Sequence, residues 1–145
     1  MKEILIASDH AGFKLKKTLI LHFESKLKVV DLGTSSEDSV DYPDYAKKLS
    51  KEINTKKSEI GVLICGSGIG MSMVANRFPN VRAALCMDGV MAKLARQHNN
   101  ANILVLGSRL ISDKEAIKCL LTFLETEYES GRHKARLDKF NNIIV

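Results

Sequence analysis

The sequence predicts an α/β fold: a three-layer α/β/α sandwich on a five-stranded, mainly parallel sheet, with a further helix at the C-terminus. Three observations carry this expectation. Five short apolar runs recur along the chain, each followed by a segment with helical spacing. The runs are nearly continuous rather than alternating, as strands covered on both faces require. The length, 145 residues, suits one compact domain over residues 1–145.

Each element has its own signal. Residues 4–7, Ile-Leu-Ile-Ala, read as a buried strand. Residues 12–24 then place Leu15, Leu19 and Phe23 four apart, on one helical face. A second strand at 29–32 closes at Gly33. A polar loop over 34–42 is the only linker-like stretch. It leads to Pro43, whose fixed φ suits the first turn of a helix running to about residue 54. The third strand, 60–65, breaks at Gly66, Gly68 and Gly70, which open a helix ending before Pro79. A fourth strand at 81–87 is interrupted by Arg82, and a helix follows at 88–97. Residues 103–106 form the fifth strand. Ser112 and Glu115 have the spacing of a capping box, opening a helix to about residue 127. Gly131 punctuates a last, basic helix over 132–140. There is no internal repeat.

Composition narrows the function. Hydrophobic residues are 45% and charged residues 27%, which excludes a disordered chain. No apolar run approaches the roughly 18 residues of a membrane span. Met1, Lys2 and Glu3 lead straight into the first strand without a signal-peptide layout, so a cytoplasmic location is expected. The net charge of +5 is spread over Lys14, Lys16, Lys17, Lys47, Lys48, Lys56 and Lys57. Aromatics are only 6% and Trp is absent, so stacking platforms for nucleic acid are not expected. A small anionic ligand suits the charge equally well. Cys65, Cys86 and Cys119 share no metal-ligand spacing and read as reduced thiols.

Parallel α/β sheets place ligands beyond the carboxyl ends of their strands. Three such ends carry unusual chemistry: Ser8-Asp9-His10, Cys65 with its glycines, and Gly107-Ser108-Arg109. Glycines at 66, 68 and 70 let N–H groups turn inward and form an anion loop with the helix start. Met71 breaks both the dinucleotide spacing and a Cys-x5-Arg phosphatase loop, and the Lys of a Walker loop is missing. Asp88 keeps a ribose-binding acid open, and a plain tight turn is the structural alternative. Cys65 reads either as a small buried hydrophobe or, facing the loop's N–H groups, as a base or nucleophile. Met71 and Met73 read as core filling. His10 stands at a site position. His98, beside Asn99, reads as a catalytic group or as a cap of its helix. Arg132 and Arg136 share one helical face, either solvated or a phosphate clamp.

Seven motifs occur in order: Ser8-Asp9-His10-Ala11-Gly12-Phe13, Asp41-Tyr42-Pro43, Cys65-Gly66-Ser67-Gly68-Ile69-Gly70, Ala75-Asn76, Arg96-Gln97-His98-Asn99, Gly107-Ser108-Arg109, and Gly131-Arg132-His133 with Arg136. Together they resemble type B ribose-5-phosphate isomerase, in the family that also holds galactose-6-phosphate isomerase subunits. The resemblance covers essentially the whole chain. It implies a Rossmann-like sheet and interconversion of ribose 5-phosphate and ribulose 5-phosphate through an enediolate, in the non-oxidative pentose phosphate pathway. It implies no metal and no cofactor. Cys65 would be the general base, assisted by Ser67. The N–H groups of Gly66, Ser67, Gly68, Ile69 and Gly70 would hold the enediolate oxygen. His98 would open the sugar ring, with Asp9 near the ring oxygens. Asn99 and Tyr42 would contact the sugar, and His10, Arg109, Arg132 and Arg136 would hold the phosphate. One branch of the family uses Glu where this chain has Met71, which cannot accept a proton. The family shares its sites between subunits, which implies a homodimer or a dimer of dimers. The alternatives are a galactose-6-phosphate or allose-6-phosphate isomerase, and a non-catalytic nucleotide-binding domain built on residues 66–70 and Asp88.

Overall fold

The computed structural model describes residues 2–56 and 59–143, so Lys57 of the dispersed basic set lies outside the described residues. Strands β1 (Glu3–Ser8), β2 (Lys28–Asp31), β3 (Ile60–Cys65), β4 (Ala83–Leu85) and β5 (Ile103–Gly107) form one sheet in the order β2-β1-β3-β5-β4. Every pairing is parallel. Among the described residues six α-helices join or follow the strands: α1 (Phe13–Phe23), α2 (Tyr42–Thr55), α3 (Ile69–Ala75), α4 (Gly89–Asn99), α5 (Asp113–Glu125) and α6 (Gly131–Asp138).

Strand side chains alternate between two faces, and each face buries its own layer. Ile4, Ile6, Val62, Ile64, Leu104 and Leu106 pack beneath α1, α4 and α5, against Leu19, Phe23, Ala92, Leu120 and Phe123. Leu5, Ala7, Leu63, Ile103 and Val105 pack beneath α2 and α3, against Leu49, Ile53, Met71 and Ala75. Met71 is thus core filling, whereas Met73 is 64% exposed. Burial pushes the Cys86 thiol up to about 12 and the Cys119 thiol up to about 11, so both remain neutral packing groups. Among the described residues no helix is long and apolar enough to cross a membrane.

Four local outcomes depart from the sequence pattern. The fourth strand shortens to three residues. At its start the Arg82 N–H donates to Asn102 Oδ1 at 2.7 Å, and Arg82 Nε donates to the Asn100 carbonyl at 2.7 Å. At its far end the chain turns to Asp88, whose Oδ1 accepts from the Met91 N–H at 2.8 Å and caps α4. The capping box is half formed. Ser112 Oγ accepts from the Glu115 N–H at 3.1 Å, but the Glu115 carboxylate accepts from the Gly89 N–H at 3.1 Å, at the start of α4. The basic C-terminal helix ends at Asp138 and tightens into a 3-10 turn over Lys139–Asn142.

The fourth is Lys16, which sequence places among the dispersed basic residues. Its side chain is fully buried. Nζ donates to Asp31 Oδ1 at 2.7 Å and to the Thr34 carbonyl, while Asp31 also accepts from the Gly33 N–H at 2.9 Å. Lys16 therefore pins the turn leaving β2. Breaking a fully buried pair costs about 3–5 kcal/mol. Asp31 is 40% exposed and stays hydrated without its partner, so Lys16→Met is expected to cost less, about 2 kcal/mol. The loss would be read as a lower urea midpoint at unchanged slope. An unshifted midpoint would show that the pair carries no stability.

Candidate active site

The carboxyl ends of β1, β3 and β5 lie side by side, because β3 pairs with both of the others. Gly12 lets the loop after β1 lie on β3, since a Cβ there would sit 2.5 Å from the Ile64 carbonyl oxygen. Ser108 Oγ donates to the Ala11 carbonyl at 2.8 Å and fastens the β5 loop to the β1 loop. The Gly107-Ser108-Arg109 motif carries no sequence signal for this fastening role, because its partner lies 97 residues away.

These loops gather the first set of candidate groups. Asp9 is buried, and its Oδ1 accepts from the Gly12 N–H at 3.0 Å. His10 Nδ1 accepts from the Val40 N–H at 3.2 Å, so a neutral ring carries its proton on Nε2. Cys65 ends β3, and its Sγ accepts from the Gly68 N–H at 3.1 Å. Gly68 has φ +78°, which turns that N–H inward. Ser67 Oγ accepts from the Ile69 N–H at 3.2 Å. Arg109 packs over Gly66, with Nη1 2.8 Å from where a Cβ would stand. The Tyr42 ring packs on Gly70 in the same way, 2.5 Å from its missing Cβ.

The second set lies elsewhere. His98 is inside α4 rather than beyond it. Asn100, at φ +45°, occupies the C-cap position considered for His98. The His98 ring stacks on buried His133, with centroids 4.3 Å apart and planes at 18°. Desolvation holds the His133 pKa below its usual range, helped by His98 and by the Arg132 and Arg136 charges. Arg96 fastens this corner. Its Nε donates to the Thr126 carbonyl at 3.2 Å and its Nη1 to the Ala101 carbonyl. Arg132 and Arg136 stand one turn apart on α6, both exposed.

The two sets occupy opposite ends of the sheet. Helix α4 starts beyond β4 and runs back to Asn99, just before β5 begins at Ile103. Ile103 pairs with Gly61, whereas Gly107 pairs with Cys65. The length of β5 alone puts about 13 Å between these levels. One chain brings Asp9, His10, Tyr42, residues 65–70 and Arg109 together, and separately His98, Asn99, Arg132 and Arg136. A cavity of about 650 Å³ beside the 3-10 turn reaches Asn99 but none of the Cys65 loop. Asp88 lies three residues past the end of the edge strand β4, and its carboxylate is engaged as the N-cap of α4.

Comparison with known proteins matches residues 4–140 to the family model Ribose/Galactose Isomerase. The chain is 38% identical over 144 residues to ribose-5-phosphate isomerase B of Escherichia coli, covering 99% of this chain and 97% of the relative. A ribose 5-phosphate isomerase structure from Thermotoga maritima superposes with a TM-score of 0.95 at 50% identity, covering 98% of this chain and 99% of that one. A Mycoplasma genitalium ribose-5-phosphate isomerase B solved with bound ribulose-5-phosphate superposes at 0.93 with 43% identity, covering 97% and 94%. With that coverage over the parallel five-stranded sheet and its loops, the chain belongs to the ribose/galactose isomerase family.

Proposed function

We propose that this chain interconverts ribose 5-phosphate and ribulose 5-phosphate through an enediolate, a step of the non-oxidative pentose phosphate pathway. The observation that carries the reading is the end of β3, where the Cys65 sulfur meets the Gly68 N–H at 3.1 Å amid the turned glycine loop. A related structure holding ribulose-5-phosphate supports the substrate class. In this reading the Cys65 thiolate takes the C2 proton of the open-chain aldose and returns it to C1. Ser67 assists, and N–H groups of residues 66–70 hold the developing oxyanion. Met71, buried in the core, offers no proton acceptor.

The remaining groups come from a second copy. His98, Asn99, Arg132 and Arg136 stand at the wrong end of their own sheet, so the reading takes them from the partner subunit of a homodimer or dimer of dimers. Exposed apolar side chains support such an interface. Ile69 and Met73 on α3, and Val90, Met91 and Leu94 on α4, are all more than 40% exposed. The partner subunit's His98 protonates the ring oxygen as the furanose opens, beside Asp9. The free cysteines accord with a reducing, cytoplasmic compartment.

Incubation with ribose 5-phosphate in EDTA tests the reaction. Ketose is expected to form without added metal. Ketose from galactose 6-phosphate or allose 6-phosphate alone would move the assignment to a hexose substrate. Nucleotide binding without any turnover would replace catalysis altogether. A second measurement isolates His98. His98→Asn is expected to slow closed furanose far more than an open-chain substrate, by about 10²-fold or more. Equal slowing of both would remove His98 from ring opening.

A further inference from the structure

Where α4 ends, His98 meets two side chains from one later stretch of the chain, Glu129 and His133. One ligand atom each from His98, Glu129 and His133 lies within 4.8 Å of the others. Among the described residues no other trio of His, Cys, Asp or Glu converges in this way. We propose that His98, Glu129 and His133 bind a transition-metal dication, Zn²⁺ by preference, and that its binding blocks isomerisation. The inhibitory half rests on the reading of His98 as the ring-opening acid.

The donor chemistry favours this ion. Two imidazoles and a carboxylate form a three-ligand zinc set with a fourth position open to water. Zinc bonds of about 2.0–2.2 Å place tetrahedral donors about 3.4 Å apart. Little movement separates that from the observed spacing. The Glu129 side chain is 52% exposed and free to swing, with Oε2 already 3.9 Å from His133 Nε2. The two rings need only splay from their 18° stack.

The backbone fixes the corner in advance. The Glu129 N–H donates to the Gln97 carbonyl at 3.1 Å, which holds the loop against α4 beside His98. The His133 N–H donates to the Ser130 carbonyl at 2.8 Å. Ser130 at φ +55° and Gly131 at φ +46° turn the chain into α6 between the two ligands. Arg132 and Arg136 oppose a dication electrostatically, and the Glu129 carboxylate offsets them. The balance suits a reversible inhibitory ion rather than a structural one. The His98 nitrogen that binds the metal can no longer carry a proton to a ring oxygen, and the ion holds the ring away from the sugar.

Zn²⁺ titration by calorimetry and Co²⁺ titration by visible absorption test the site without using turnover. One metal per chain is expected, with the spectrum of a tetrahedral nitrogen–oxygen site and no thiolate charge-transfer band. Glu129→Gln and His133→Asn should each weaken affinity at least about 10-fold, the loss that even outer partners of a metal-bound His produce. Cys65→Ala should bind as the wild type does. On ribose 5-phosphate, Zn²⁺ should slow the wild type, a chelator should restore it, and Glu129→Gln should turn over normally and resist the metal. Binding untouched by both ligand variants, or lost in Cys65→Ala, would overturn the site. Zinc bound at these ligands without slowing an active enzyme would overturn the inhibition. Absence of turnover in metal-free wild type would instead count against the proposed reaction, while the titrations still decide the site.

Discussion

Cys65→Ala is expected to lower turnover of ribose 5-phosphate by about 10²–10⁴-fold, the usual contribution of a positioned general base. Its fold should persist, because the substitution removes one atom from a 5% exposed position at a strand end. Near wild-type turnover would show that another group moves the proton. The same variant reports on where the site is assembled. His98→Asn leaves Cys65 intact, and Cys65→Ala leaves His98 intact. Mixed and allowed to exchange subunits, the two inactive proteins form hybrids in which one site of two is wholly wild type. Random exchange then restores about one quarter of all sites. A site contained within one chain would give no recovery on mixing.

Arg136→Lys is expected to raise KM about 10- to 100-fold while keeping the charge. A phosphate dianion takes paired N–H donors from a guanidinium, and an ammonium cannot reproduce that fork. Loss of one charge-assisted hydrogen bond costs about 1.5–3 kcal/mol. The loss should fall mainly on KM, since the phosphate is held alike in ground and transition states. Arg132 and Arg136 lie exposed on α6, far from Cys65 in their own chain. A merely solvated face predicts that Arg132→Ala and Arg136→Ala leave KM and kcat unchanged. That outcome would remove α6 from the site.

The local signals were readable where chemistry was local. The run Ile60–Cys65 reads as a strand because its apolar residues are unbroken, and the glycines after it end it. Ser112 caps its own helix as its position suggests. Signals that depend on neighbours distant in sequence were not readable. Lys16 looks like its charged neighbours until Asp31 and the turn after β2 close over it. Glu115 has capping-box spacing, but packing offers it the start of α4 instead. The division of the candidate site follows from β5 lying between β3 and β4 and from α4 returning to the strand starts. Neither fact is written in any one motif. The pairing of His98 with His133 likewise needs α6 folded back onto α4.

The Glu115 contact makes α4 a lever. Its carboxylate grips the first residue of that helix, and His98 rides near the other end, about 13 Å away at 1.5 Å per residue. A tilt of about 5° at the gripped end swings His98 by about 1 Å, a displacement that can cost about 10²-fold in a positioned reaction. The position of His98 therefore depends in part on an acidic side chain of a different helix, at the opposite end of α4. Arg96, bonded to the Thr126 and Ala101 carbonyls, anchors the end that carries His98, so α4 is gripped at both ends by groups that lie apart in sequence.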